Sequence, residues 1–524
     1  MMAFLQWLKE SSKPTLLFVT IFLAVALKFL MEGKLKNRKL NLPPSPAKLP
    51  FIGNLHQLGS MPHISLRGLA KKYGPIIFLQ LGEIPTVVIS SVRLAKEVLK
   101  THDLVLSSRP QLFSAKHLFY GCTDVAFAPY GAYWRNVRKI CILELLSSKR
   151  VQSYSFVREE EVARLIHRIA ESYPGTANLS KMIGLYANDV LCRVALGRDF
   201  SGGGGEYDRH GFQKMLDDFQ ALLGGFSLGD YFPSMEFVHS LTGMKSKLQR
   251  TFGQFDQFFD EVIAEHQNSE GGKEEKKDLV DVLLDIQRAG SSEMPLTMDN
   301  IKAVILDMFA AGTDTTFITL DWTMTELIMS PKVMEKAQAE VRSVVGDRRV
   351  VQESDLPRLH YMKAVIKEIF RLHPAAPVLV PRESVEDIII DGYNIPAKTR
   401  IYVNVWGMGR DPKLWENPET FEPERFVGSS IDFKGQDFEL IPFGSGRRSC
   451  PAIIFGIATV EIALAQLLHS FDWELPPGIK AQDIDNTEAF GISMHRTVPL
   501  HIVCQTPLQL TQVSFVFTSF NLKK

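Results

Sequence analysis

Cysteine is scarce in this chain, and its spacing suggests no pairing. The 524 residues hold five: Cys122, Cys141, Cys192, Cys450 and Cys504. An odd count with no Cys-x-x-Cys argues against a disulfide framework and a zinc site, and fits a reducing compartment. An excess of charge of either sign is lacking too. Lys and Arg number 59, as do Asp and Glu, which argues against general nucleic-acid binding. There is no His-Glu-x-x-His, Gly-x-Ser-x-Gly or Walker-type loop, so the chemistry of those motifs is not indicated. No low-complexity linker or internal repeat divides the chain. Length alone suggests roughly three or four domains, yet one large domain with an extensive core stays open.

One long hydrophobic run is present, at the front. Residues 14–31 read PTLLFVTIFLAVALKFLM. Lys28, near the end of the run, can snorkel to an interface. Lys34, Lys36, Arg38 and Lys39 follow it, whereas Lys9, Glu10 and Lys13 precede it. The basic excess after the run predicts a single membrane span whose large C-terminal part faces the cytosol. The rival is a cleaved signal peptide ending near AVA at 24–26, against which the unpaired cysteines weigh. Residues 40–60 include LPPSPAKLPFIGN, whose prolines cannot continue a helix and make a stiff hinge. The organisation expected is an anchor with basic flank at 1–39, the hinge at 40–60, a catalytic body at 61–508 and a tail of unassigned role at 509–524.

The body has strand signals at 76–90, at 387–406 and near 497–504. SGGGGEYD from Ser201 and NSEGGKEEKKD from Asn268 read as solvated loops. Most of the rest has helical period. The most informative helix is predicted from Thr297, a capping residue, with Asp299 in its first turn, to Pro331. It spans roughly 50 Å and is apolar on nearly every face, as a helix through the protein centre should be. Halfway along lies AAGTDTT, residues 310–316. These are mediocre helix formers where stability should matter most. They read either as a tolerated weak patch or as a local opening in which Thr hydroxyls divert backbone carbonyls.

Near the C-terminus stands IPFGSGRRSCP, ending at Cys450 and Pro451. A buried cysteine is usually inert core, which is the reading for the other four. Here Gly444 and Gly446 permit a tight loop whose amides face the sulfur. Arg447 and Arg448 favour a thiolate, and Pro451 suits a helix start. A thiolate in an amide-lined loop is a metal ligand or a nucleophile. Without a nearby histidine as base, ligation to a large cofactor is the better reading.

With these motifs assembled, the sequence resembles the cytochrome P-450 superfamily through its length. FGSGRRSC is similar to the haem-thiolate signature, AGTDTT to the oxygen-activation motif and EIFR (368–371) to the Glu-x-x-Arg pair. FEPERF (421–426) looks like the partner segment, and WRNVRK (134–139) like the haem-propionate helix. The proline-rich hinge, RLHP and VPRES most resemble the plant microsomal A-type branch. The resemblance implies a predominantly α fold with a small β-sheet lobe, preceded by a transmembrane helix. It implies haem b bound with Cys450 as axial iron ligand, beside Phe443. Arg448, Trp134, Arg138 and Arg382 would hold the propionates. Glu368, Arg371 and Arg425 would form a structural triad. Asp314 and Thr315 would manage protons at bound oxygen. A substrate pocket would draw on Phe113, Phe119, Phe127, Met308, Ala311, Val378, Leu379 and Ile492. One departure from the family pattern is Ala452, where Gly is usual and permits close backbone approach.

The activity implied is that of a membrane-anchored monooxygenase at the endoplasmic reticulum. It would insert one oxygen atom from O₂ into a small, largely apolar plant metabolite: terpenoid, phenylpropanoid or amino-acid-derived. No flavin or nicotinamide module is evident, so electrons from NADPH would come through a separate flavoprotein reductase. The alternatives are a haem-thiolate isomerase or dehydratase working without a reductase, and a non-enzymatic haem carrier. The retained Asp314 and Thr315 weigh against both.

Overall fold

The computed structural model describes residues 40–199, 209–225, 227–268, 277–290, 294–489 and 491–505. The expected span at 14–31 and the tail at 509–524 lie outside them. Within them the chain is mostly helical, with small sheets.

The predicted central helix runs Met298–Met329, 32 residues, or about 48 Å at the helical rise. Thr297 and Asn300 close a reciprocal capping box, each side chain accepting from the other's backbone N–H at 3.2 and 3.1 Å. This satisfies donors that a helix start leaves free. Pro331 opens the following helix at its first position, where the absent N–H costs nothing. Residues on every side of the central helix are buried, among them Ile301, Val304, Phe309, Leu320 and Trp322.

The helix Leu179–Leu196 crosses it closely. A methyl on Gly312 would lie 3.1 Å from Leu191 Cδ2, so the two helices pack closely here and Leu191 would have to shift to admit a side chain. The helix Ile453–Ser470, which follows the cysteine loop, joins the same core. It and the central helix are long and apolar enough to cross a membrane, yet both are largely buried in protein. Cys122, Cys141, Cys192 and Cys504 are buried and joined in no disulfide, as the reading of inert core cysteines requires.

The main sheet has four strands in the order Ile76–Leu81, Ile84–Ile89, Arg400–Val403, Arg382–Glu383. The first two form an antiparallel hairpin with Ile76 opposite Ile89. Arg400–Val403 runs parallel to the second, Thr86 opposite Arg400. Arg382 pairs with Ile401 at the edge, which fixes its backbone. The strand signal at 387–406 thus resolves into this strand and a separate hairpin, Ile388–Ile390 with Tyr393–Ile395. The last predicted strand is His501–Gln505, paired with both Ala177–Asn178 and Asp472–Glu474. A short hairpin of Glu488–Ala489 and His495–Arg496 reaches the middle of the central helix through His495.

Candidate active site

The cysteine loop is shaped by close approach. At Gly446, φ is 71°, and a Cβ would lie 2.1 Å from the Leu99 carbonyl oxygen and 2.8 Å from Asp103 Oδ1. Glycine is required there twice over, by conformation and by space. The Arg447 amide donates to Asp103 Oδ2 at 2.8 Å, and the Cys450 amide donates to the Phe443 carbonyl at 2.9 Å. The Ala452 amide points at Cys450 Sγ from 3.4 Å. Burial pushes the Cys450 thiol up, while the Ala452 amide and Arg138 oppose that shift. The cation acting on the sulfur is therefore Arg138, where the sequence pointed to Arg447 and Arg448. Pro451 does not open the next helix, which starts at Ile453 with Ala452 as its cap. Ala452 has φ −101°, a value open to any L-residue, so this backbone has no conformational need for glycine there.

Cys450 lines a mostly apolar cavity of about 290 Å³. Four arginines line it too: Arg109, Arg138, Arg382 and Arg448. Arg448 donates to the carbonyls of Ser107 (2.7 Å), Ala128 (2.6 Å) and Val125 (3.3 Å). Arg138 donates to the Ser449 carbonyl at 2.7 Å. Arg382 pairs with Asp103 at 2.5 Å and donates to the Ser445 carbonyl at 2.8 Å. Arg109, absent from the motif reading, donates to the carbonyls of Val380 (2.6 Å), Pro381 (2.8 Å) and Ala126 (3.0 Å). Burial, then Arg382 and Arg138, push Arg448 down to about 9. Burial, then Arg448 and Arg382, lower Arg109 well below its usual range.

Trp134 does not line the cavity. Its indole N–H is committed to the Val125 carbonyl at 3.0 Å and its ring lies under Arg448 at 4.0 Å, so here it orients an arginine. A group carrying two carboxylates and a thiolate-seeking metal suits this donor set. It would relieve the mutual repulsion of the guanidinium groups, and coordination would deprotonate a thiol that burial otherwise keeps neutral. Haem therefore fits the residues present.

On the helix side, Met308, Ala311, Gly312, Thr315, Thr316 and Thr319 line the same cavity. The helix stays unbroken through 310–316, so the predicted opening is not a break. The Thr315 hydroxyl donates to the Ala311 carbonyl at 2.8 Å and Gln220 Nε2 donates to the Ala310 carbonyl at 2.7 Å. These bonds load carbonyls without displacing the ladder. Asp314 points away from the cavity, to Ser493 Oγ and to His495 Nε2 at 3.0 Å. A second carboxylate, Asp307, accepts from the Val125 amide at 2.5 Å. Burial and Asp124 beside it raise it well above the usual carboxylate range. Asp124, raised to about 6 by burial, also accepts from the Phe127 amide at 2.8 Å. Two carboxylates so placed titrate as a pair.

The expected triad is assembled. Arg371 donates to both Glu368 oxygens at 2.7 Å, and Arg425 Nε donates to Glu368 at 3.1 Å. Phe370, one residue before Arg371, meets Phe443 edge-on at 5.1 Å, which ties the triad to the cysteine loop. Of the expected pocket residues, Met308, Ala311 and Leu379 line the cavity. The others do not. Phe113 stacks on His239 at 4.2 Å, and Phe119 packs on Phe127 at 5.5 Å and on Phe219 at 5.4 Å. Val378 joins the cluster of Ile77 and Leu79, and Ile492 packs on the main core. Their apolar character is spent on core packing, which composition cannot distinguish from pocket lining. Arg109, His495, Ser493, Gln220 and the Asp124–Asp307 pair escaped the sequence reading. The one signal available was the polar pair His495–Arg496 in an otherwise weakly polar segment.

The chain matches the Cytochrome P450 family model over residues 43–502. It is 73% identical to Cytochrome P450 71AP13 of Prunus mume, covering 96% of this chain and 97% of that protein. It is 46% identical to the phenylacetaldehyde oxime monooxygenase CYP71AN24 of Prunus mume, with 93% of each covered. Among solved structures, a zebra fish cytochrome P450 with abiraterone superposes with a TM-score of 0.72 at 26% identity, covering 86% of this chain and all of that one.

Proposed function

The chain belongs to the cytochrome P450 family, whose members are haem-dependent monooxygenases, and from that premise we propose that it is a membrane-anchored monooxygenase of plant secondary metabolism. In this reading it inserts one oxygen atom from O₂ into a small apolar metabolite of terpenoid, phenylpropanoid or amino-acid origin. A single observation carries the reading: Cys450, four arginines and Thr315 line one mostly apolar cavity.

Cys450 would supply a thiolate ligand to the iron, and Arg138, Arg382 and Arg448, with Arg109 added to them, would hold the carboxylates. Bound haem supplies the O₂ binding and one-electron chemistry general to haem-thiolate proteins. The chain's own residues do the rest. Met308, Ala311 and Leu379 exclude water and hold an apolar substrate by contact. The Thr315 hydroxyl orients a proton donor toward the cavity, and Asp314 connects it to the protein exterior. Electrons come from NADPH through a separate flavoprotein reductase. The exposed Arg447 and Lys434, with side chains 51% and 72% accessible, support docking of an acidic partner near the cysteine loop. The run at 14–31 and its basic flank support a single-pass anchor at the endoplasmic reticulum with the body in the cytosol.

The test is spectral and catalytic. The reduced carbon-monoxide complex should show the thiolate-type Soret band, and Cys450→Ala should abolish it. Turnover of apolar plant metabolites should require NADPH and reductase. A Cys450→Ala protein that keeps the band, or turnover indifferent to reductase, would overturn the reading.

A further inference from the structure

Asp314 and Thr315 are adjacent in sequence, but their side chains leave the helix in different directions. Thr315 lines the cavity. Asp314 is held by two residues of the C-terminal hairpin segment, Ser493 and His495. The His495 side chain is 34% accessible and that of Asp314 only 11%. Of this pair His495 is the more exposed, and it touches both water and the acid.

The surroundings of His495 are arranged for a proton. Asp314 and Asp321 face it from the central helix, and Asp217 from the helix Arg209–Gly224. On its own hairpin the neighbouring cation Arg496 is turned to the Asp485 carbonyl at 2.7 Å and to Asp321 at 3.7 Å. The Phe317 ring packs beside the imidazole at 5.7 Å and restricts its rotation. Burial alone would lower the His495 pKa, but Asp314 and the other carboxylates raise it overall.

We propose that His495 is the solvent-side positioning residue of the proton path, passing a proton from water to Asp314. In this step the imidazolium Nε2–H bond breaks and an O–H bond forms on Asp314 Oδ1. The neutral imidazole is then reprotonated from solvent, and no electrons move. The protonated Asp314 loses its ionic hold on His495 and is free to rotate about Cα–Cβ toward Thr315. The resting geometry is therefore the loading position of a carboxyl that moves. The inference rests on the monooxygenase reading above.

The experiment uses the full-length holoenzyme. Diethyl pyrocarbonate acylates only neutral imidazole, and its reaction at His495 is followed by peptide mass spectrometry from about pH 5 to about pH 9, around the ordinary histidine value of about 6.5. The inflection should lie above that value in the parent and fall toward it in Asp314→Asn. In the second arm, NADPH is consumed with a flavoprotein reductase and no added substrate, and hydrogen peroxide released per NADPH is measured. His495→Gln, which keeps an N–H donor for Asp314 but cannot relay a proton, should release at least threefold more peroxide near pH 6.5. It should also lose the parent's pH dependence, a change that a purely structural contact would not produce. An identical acylation inflection in parent and Asp314→Asn, or a parent-like peroxide profile in His495→Gln, overturns the proposal. Absence of the thiolate-type band in the parent would instead overturn the monooxygenase reading, while the acylation arm still reports on the pair.

Discussion

Replacing Arg371 by alanine is the sharpest structural test of this fold. A guanidinium has five N–H donors, and here all five are used. Nε and one Nη2 hydrogen meet Glu368 at 2.7 Å. Nη1 serves the carbonyls of Gly409 (2.5 Å) and Pro418 (2.6 Å), and the second Nη2 hydrogen serves Thr420 (3.0 Å). Arg371 and Glu368 are both essentially sealed from water. Alanine would leave Glu368 to Arg425 and the Glu422 amide and strand three carbonyls. Removing one partner of a buried pair costs about 3–5 kcal/mol, or a factor of about 10² to 10⁴ in the folded-to-unfolded ratio. Total stabilities are only about 5–15 kcal/mol. Arg371→Ala should therefore lose haem-loaded protein, measured as Soret absorbance per polypeptide, and melt well below the parent. Arg371→Lys, with three donors on a point charge, should fall between them. Arg371→Ala with parent haem content and parent melting temperature would refute the argument.

Three further outcomes are expected. Thr315→Ala should retain haem and substrate binding while product per NADPH falls, by up to the about 10²–10⁴-fold typical of lost acid–base assistance; equal rate and coupling would reduce Thr315 to a helix residue. Deleting residues 1–39 should yield a less membrane-bound protein that still loads haem, checked by fractionation and the carbon-monoxide spectrum. His266 is raised to about 9, because its bond to Asp278 at 2.8 Å outweighs burial. A folded pKa above the unfolded one contributes stability in full below about pH 6.5 and loses it as pH rises through about 9. Melting curves of His266→Gln and the parent should accordingly differ most below about pH 6.5 and converge as pH rises past about 9.

The long helix was legible because its cap, its apolar girdle and its proline stop are all local signals. The cysteine loop was legible because Gly446 and Cys450 belong to one short motif. The triad and three of the four cavity arginines came from family motifs. What stayed hidden depends on contacts distant in sequence. Arg109 is defined by carbonyls of Val380 and Pro381, some 270 residues away, and His495 by Asp314. Phe113, Phe119 and Phe127 misled because an aromatic ring suits a core and a pocket equally. The intact helix at 310–316 shows that weak formers can be tolerated when neighbours pack as closely as Leu191 does on Gly312.

The four arginines around the cavity also bear on how the protein is assembled. Newly made chain must bring like charges together in an apolar setting; Asp103 offsets that of Arg382, but the hydrogen bonds of the others to carbonyls remove none of theirs. A dianionic ligand is then the last part of the fold as much as its cofactor, and binding it only in the folded state adds about 2.7 kcal/mol at a hundredfold excess over its dissociation constant. The amount of this protein in a cell would accordingly follow haem supply as well as gene expression. Chains made faster than haem arrives would be the ones passed to chaperones and proteases.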